Sequence, residues 1–170
     1  ERPSPASASS SPTGTGRGVA LSSRSNTVAG AVADVEVDKS SGKVSVKRMT
    51  ISHDCGLIVN PDGLKNQIEG NVIQAISRAL FEEVQFDATQ IKTLDWNSYP
   101  VLTFADVPEI DIVLINRPEM EAWGAGEPSI VSVTGAIANA IFDATGARLR
   151  DVPFTPARVL AALKTAPAKS

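Results

Sequence analysis

Cysteine and histidine are nearly missing from this chain. Its 170 residues hold one of each, Cys55 and His53. A single cysteine excludes a disulfide within the chain, and the two residues together cannot make a Cys/His zinc site or an iron–sulfur cluster. Any metal chemistry must therefore come with a separate cofactor. Aromatic residues are scarce, at 5%. No apolar run reaches the roughly 20 residues that a membrane-spanning helix needs. The first residues lack the basic-then-apolar pattern of a signal peptide. Excess positive charge is missing too: 16 Lys and Arg against 19 Asp and Glu leave a net charge of −3, which argues against a nucleic-acid or anionic-membrane partner. What is present, 42% hydrophobic and 21% charged residues, is the composition of a globular domain, long enough for one core.

Residues 1–16 are rich in Ser, Pro, Ala and Gly and poor in large apolar side chains. They cannot bury enough surface to offset their ordering entropy, and read as a flexible linker or tail. A domain over residues 17–166 is expected to follow. Residues 18–25 and 27–38 read as strand, with Val28, Val32, Val35 and Val37 as markers. Ser40-Ser41-Gly42-Lys43 is a hairpin turn, and residues 44–52 return as strand with a phase slip at Lys47-Arg48. His53 and Cys55 stand two apart at the strand end and so point the same way. Their weightier reading is one buried thiol and one strand-end histidine.

Residues 64–84 read as a long helix, because Leu64, Ile68, Val72, Ile76 and Leu80 recur every four residues. Gly70 inside it costs about 1 kcal/mol relative to alanine, and implies close approach by another backbone or a ligand. Gln67 and Gln74 are two turns apart on one side. Asp95 to Pro100 reads as a packed loop with two aromatic anchors, and residues 109–116 as a strand. Then comes Trp123-Gly124-Ala125-Gly126-Glu127-Pro128-Ser129, a glycine-rich loop feeding a second long helix from Pro128 to Thr145, with Gly146 as its C-cap. Glu127 stands at the helix mouth, where negative charge is stabilised. It is either a general base or a plain helix cap, and spacing alone favours the cap. Thr155-Pro156 opens a last, short helix. The fold class expected is α+β: an N-terminal β-hairpin within a mixed sheet, two long helices packed on it, and a short C-terminal helix.

Five motifs occur in one order: Asp54-Cys55-Gly56, Val59-Asn60-Pro61, Gln67-Ile68-Glu69-Gly70 with Gln74, Gly124-Ala125-Gly126-Glu127-Pro128, and Pro153-Phe154-Thr155-Pro156. In this order they resemble the C-terminal part of a molybdenum hydroxylase large subunit, of the xanthine dehydrogenase and aldehyde oxidase superfamily. The wording is most similar to that of the isoquinoline 1-oxidoreductase beta subunits.

The resemblance implies an oxidoreductase that hydroxylates a small aromatic N-heterocycle or an aldehyde with water-derived oxygen. Glu127 matches the general base beside the molybdenum, which outweighs the cap reading. Gln67, Gly124, Ala125, Gly126 and Gln74 match the surroundings of a molybdopterin cofactor, with Asn60 and Ser129 as weaker candidates. The cofactor implied is molybdopterin, as the dinucleotide, and the iron–sulfur clusters would sit only on a small [2Fe-2S] partner subunit. The remainder of the large subunit is a further implied partner, and exposed apolar surface is expected where it would lie. The compartment is left open between bacterial cytoplasm and periplasm.

Two departures from the family wording stand out. Asn71 follows Gly70 where many relatives have a second glycine, and Ser129 follows Pro128 where Glu-Pro-Pro is common. The segments that hold the rest of the cofactor in the family have no match here. The alternative is a detached binding or assembly module that keeps the fold and is inactive on its own. A cofactor-free hydrolase is a poor third reading, since only Cys55 and His53 offer a nucleophile and base.

Overall fold

Strict alternation of buried and outward residues runs through residues 27–38, and this period of two makes the stretch the central strand of a sheet. The computed structural model describes residues 13–166. Within them β1 (Thr13–Arg24), β2 (Thr27–Asp38), β3 (Val44–Asp54) and β4 (Glu109–Ile115) form one sheet in the order β1-β2-β3-β4. The first three strands are antiparallel and β4 runs parallel to β3. The crossover from β3 to β4 carries α1 (Pro61–Leu80); α2 (Pro128–Thr145) and α3 (Pro156–Thr165) follow. Asp34 pairs with Arg48 and Val35 with Val46, so Lys47 is the extra residue of a bulge, at the expected phase slip. The fold is the expected mixed α+β arrangement.

One layer of helix covers one face of the sheet. α2 lies on β1 and β2, and α1 packs beside α2 and reaches β3 and β4. The core between them is Val35, Val37, Met49 and Ile51 from the sheet against Ile68, Val72, Ile76, Val133, Ile137 and Ile141 from the helices, all nearly or fully buried.

The seam between β1 and α2 depends on glycine. A Cβ on Gly16 would stand 2.2 Å from the carbonyl oxygen of Ala140, and one on Gly18 would stand 2.1 Å from that of Ala136. Two strand residues advance about 6.6 Å and one helical turn about 5.4 Å, so alternate glycines meet successive turns of α2. The helix also covers the sheet edge: Asn139 donates from its side chain to the Val19 carbonyl (2.9 Å), and the Arg17 amide donates to Asp143 (2.9 Å). This seam corrects the reading of residues 1–16 as linker throughout. Thr13, Gly14, Thr15 and Gly16 belong to β1, because a residue without a side chain is what close strand–helix packing requires. Residues 1–12 lie outside the described residues.

The other face of the sheet is open and divided. Arg17, Asp34, Arg48 and Glu109 stand side by side across the four strands. They are tied by ion pairs from Arg17 to Asp34 (2.6 Å) and from Arg48 to Glu109 (3.5 Å) and Asp111. Toward the other end the same face carries Val19, Leu21, Val28, Val113 and Ile115, with Leu21 77% exposed. Val28 and Val32 therefore point outward; Thr27, Ala29, Ala31 and Ala33 hold the buried side. The connection from α1 to β4 is also apolar on its surface. Tyr99 anchors it by donating to Glu82 (2.9 Å), but Trp96 is 79% exposed and is no anchor within this chain.

Candidate functional site

The glycine loop is strapped down from four sides. β3 ends in Asp54 and the chain turns at Gly56, whose φ of 75° is left-handed. This turn lets residues 121–123 lie alongside, with the Trp123 amide donating to the Cys55 carbonyl (2.9 Å) and the Arg117 amide to that of Gly56 (3.0 Å). From β2, the Thr27 hydroxyl donates to the Gly124 carbonyl (2.8 Å). From β1, the Ser22 hydroxyl donates to the Pro128 carbonyl (2.7 Å). From α1, the Gln67 amide (2.8 Å) and the Asn71 amide (2.9 Å) both donate to the Gly126 carbonyl. Asn71 also donates to the Ser129 hydroxyl (2.8 Å), within the buried interior.

Glu127 is the N-cap residue of α2, followed by Pro128, but its side chain makes no capping hydrogen bond. A carboxylate at this position ordinarily accepts from the first free N–H groups of the helix. Here it stands 70% exposed, 3.8 Å from Arg24. Such an exposed pair contributes little to stability. The two-residue turn at Ser25 and Asn26, both with positive φ, brings Arg24 to this place. Two shallow hollows flank the loop. One, of about 320 Å³, is bordered by Arg24, Gly124, Gly126 and Glu127. The other, of about 340 Å³, is bordered by Cys55, Asn60, Gln67, Trp123, Ala125 and Gly126.

A Cβ on Gly124 or Gly126 would meet nothing within 4 Å, and neither glycine adopts left-handed backbone. No neighbour among the described residues requires these glycines. The space beside the loop backbone is open, which leaves room for a ligand to approach it. The described residues contain no group of three or more His, Cys, Asp or Glu able to hold a metal ion. A cofactor that brings its metal already ligated fits this donor set.

Of the expected site residues, Gln67, Gly124, Ala125, Gly126 and Glu127 gather at one place, all lining one or other hollow. Gln74 does not join them. It is exposed on α1, two turns or about 10 Å beyond Gln67, and has no hydrogen bond to the loop. Asn60 borders the second hollow but spends its side-chain oxygen capping α1 through the Gly63 amide (2.9 Å). Asn71, Thr27 and Ser22 are not singled out by sequence for this role. The only hint is spacing: Asn71 stands one turn after Gln67, on the same side of the helix.

His53 and Cys55 form no catalytic pair. His53 is fully buried and neither ring nitrogen has a hydrogen-bond partner. Burial pushes the imidazole down from its ordinary value, against a smaller opposing effect of Asp54. Burial, with the Asp54 charge, pushes the Cys55 thiol up. Both shifts favour the neutral forms, the reverse of an activated thiolate.

Residues 6–108 match the family model described as the molybdopterin cofactor-binding domain, a span that includes Gln67 and Asn71 but ends before the glycine loop. Over 135 residues the chain is 49% identical to a subunit of the nicotinate dehydrogenase of Pseudomonas putida, covering 79% of this chain and 11% of that one. The beta subunit of isoquinoline 1-oxidoreductase from Brevundimonas diminuta is 34% identical, with 82% and 18% covered. Among solved structures, quinoline 2-oxidoreductase from Pseudomonas putida 86 superposes with a TM-score of 0.76 at 32% identity, covering 83% of this chain and 19% of that one. The chain thus spans less than a fifth of the length of the relatives it matches. The molybdenum-binding subunit of an aldehyde oxidoreductase of Escherichia coli is 33% identical, with 79% and 19% covered. With the matching cofactor-domain model, this shows that the chain belongs to the molybdopterin cofactor-binding domain family, within the xanthine dehydrogenase and aldehyde oxidase superfamily.

Proposed function

We propose that this chain supplies the catalytic glutamate and part of the cofactor cradle of a molybdopterin-dependent hydroxylase acting on an N-heterocycle or an aldehyde. The observation that carries the reading is Glu127: its loop is strapped to three strands and α1, while its carboxylate is free of any capping bond. A fixed stem whose carboxylate is held only by an exposed ion pair with Arg24 suits a general base. The cofactor, when bound, supplies the metal centre at which the substrate carbon is oxidised and water-derived oxygen is activated. Glu127 accepts the proton at its carboxylate oxygen. Gln67 holds the Gly126 carbonyl with its amide nitrogen and keeps its amide oxygen for the cofactor. Gly124 and Gly126 keep the approach open, and Ala125 lines the second hollow.

The remainder of the large subunit completes the pocket, consistent with the small share of each relative that this chain spans. The apolar half of the open sheet face gives it a surface to cover. Electrons leave through a small [2Fe-2S] subunit; the single cysteine of this chain cannot hold such a cluster itself. The pterin is in its dinucleotide form. A second reading, a module inactive on its own, draws on the shallowness of both hollows and the exposure of Glu127.

Elemental analysis of molybdenum in the assembled subunit tests the proposal. Stoichiometric metal is expected, lost on Gln67→Ala. Glu127→Gln should retain the metal and lower turnover about 10²- to 10⁴-fold. A folded assembly without molybdenum, or full turnover by Glu127→Gln, would sink it.

A further inference from the structure

Asn71 grips the chain on both sides of Glu127. One of its N–H groups donates to the Gly126 carbonyl (2.9 Å), immediately before the glutamate, and the other to the Ser129 hydroxyl (2.8 Å), two residues after it. An amide nitrogen carries two donors, and both are spent here. The Gly126 carbonyl is saturated in turn, because Gln67 occupies its second lone pair (2.8 Å). Asn71 is 5% exposed and Ser129 fully buried, so the bond between them is shielded from water, whereas the bond to Gly126 is part-buried. The Ile130 amide donates to the Glu127 carbonyl (3.0 Å), closing the first turn of α2 over the same residue. The glutamate's backbone is thereby held at both flanks. Its side chain has only the exposed Arg24 pair at 3.8 Å. Among the described residues, no other α1 side chain hydrogen-bonds on both flanks of Glu127.

We infer that Asn71 is the positioning residue for Glu127: it sets where the carboxylate stands through a two-armed clamp across Gly126 and Ser129, without touching the reacting atoms. The inference rests on Glu127 being the base. It extends that reading by assigning a second residue, and it explains Asn71 and Ser129 as partners. A clamp of this kind acts on turnover more than on folding. Misplacing a reacting group by about 1 Å can cost about 100-fold in rate, while the helix on which Asn71 sits is also held by Leu64, Ile68, Val72 and Ile76 in the core.

The test uses the assembled, molybdenum-containing subunit with Asn71→Ala, Ser129→Ala and the double change, each normalised to bound molybdenum. Asn71→Ala should lower kcat about 100-fold and leave KM and metal content unchanged. Ser129→Ala should lower kcat less, and the double change should be no worse than Asn71→Ala alone, as expected for one shared device. Amide hydrogen exchange supplies a readout independent of activity. The Glu127, Ser129 and Ile130 amides should exchange faster in Asn71→Ala, while those of β2 do not change (Pro128 has none). Wild-type kcat per molybdenum in Asn71→Ala, beside an inactive Glu127→Gln, overturns the inference and leaves the base assignment standing. Strictly multiplicative effects of the two single changes also overturn it, since Asn71 and Ser129 would then act apart. Full activity of Glu127→Gln removes the base itself, and the exchange experiment then decides whether the clamp exists.

Discussion

Two regions of this chain use glycine, for different reasons. Along β1, Gly14, Gly16 and Gly18 meet the backbone of α2, and a Cβ at any of them would clash within the chain. Around the candidate site, Gly70, Gly124 and Gly126 meet nothing at all. The first set is accounted for by the packing of the chain on itself. Of the second set, Gly70 lies inside α1, where a glycine is about 1 kcal/mol worse than alanine, and Gly124 and Gly126 lie in the loop before α2. At all three, open space stands where a side chain would be, which leaves room for a neighbour other than the described residues. The lesson is that an unexplained glycine is informative only after the contacts around it are known.

The sharpest way to break the comparison is to fill the seam. Gly16→Val should destabilise the chain by about 3 kcal/mol, because its Cβ meets the carbonyl oxygen of Ala140 and the backbone of Ala144 rather than any flexible side chain. Urea denaturation checks it, and an unchanged midpoint would mean that the strand and helix can part freely. Gly70→Ala should act in the opposite direction, stabilising the isolated chain by about 1 kcal/mol. If another polypeptide lies on this part of α1 in the assembled subunit, the same change should weaken assembly, as read by size-exclusion chromatography. Gly124→Ala is expected to be smallest on the fold, within about 0.5 kcal/mol, yet it should reduce molybdenum content in the assembly. Equal metal in wild type and variant would show that the loop glycines are as dispensable to the cofactor as they are to the fold.

Titration separates the regions further. The seam glycines and alanines carry no ionisable group, whereas the strand that pins the loop carries buried His53. Its imidazole is held below the ordinary 6.5 by burial. The unfolded chain therefore takes up a proton first as pH falls, and stability should be full above about 6.5 and decline below it. His53→Leu should flatten this slope between pH 7 and pH 5.5 in thermal melts. A slope that survives the change would place the proton elsewhere. The Asp38 carboxyl in the β2–β3 turn, lowered to about 2 by the Ser40 and Ser41 hydroxyls and amides, does not titrate in that window.

Much of the architecture is legible because it follows short-range rules. The second long helix runs Pro128 to Thr145 as expected, since proline opens it and Gly146 closes it in left-handed backbone with φ of 77°. The bulge at Lys47 is legible as a break in period two. Apolar spacing carries the first helix on to Val84, four residues beyond its end at Leu80, because that spacing continues past the last helical hydrogen bond. Spacing alone also places Gln74 with Gln67, and it does not say which turn of a helix meets a loop 50 residues later.

What the sequence determined by itself is local and periodic: strand or helix, caps, turns, the missing metal ligands, and the order of five motifs that carries the family. What only the tertiary structure decided is which of these residues meet. It placed Thr13 to Gly16 in a strand, turned Val28 and Val32 outward, and left Trp96 in solvent. It also joined Asn71 to Gly126 and Ser129 across more than 50 residues of chain. The physical reason is that periodicity reports which face of an element is apolar, whereas a site is made by side chains and carbonyls from separate elements, brought together when that face is buried.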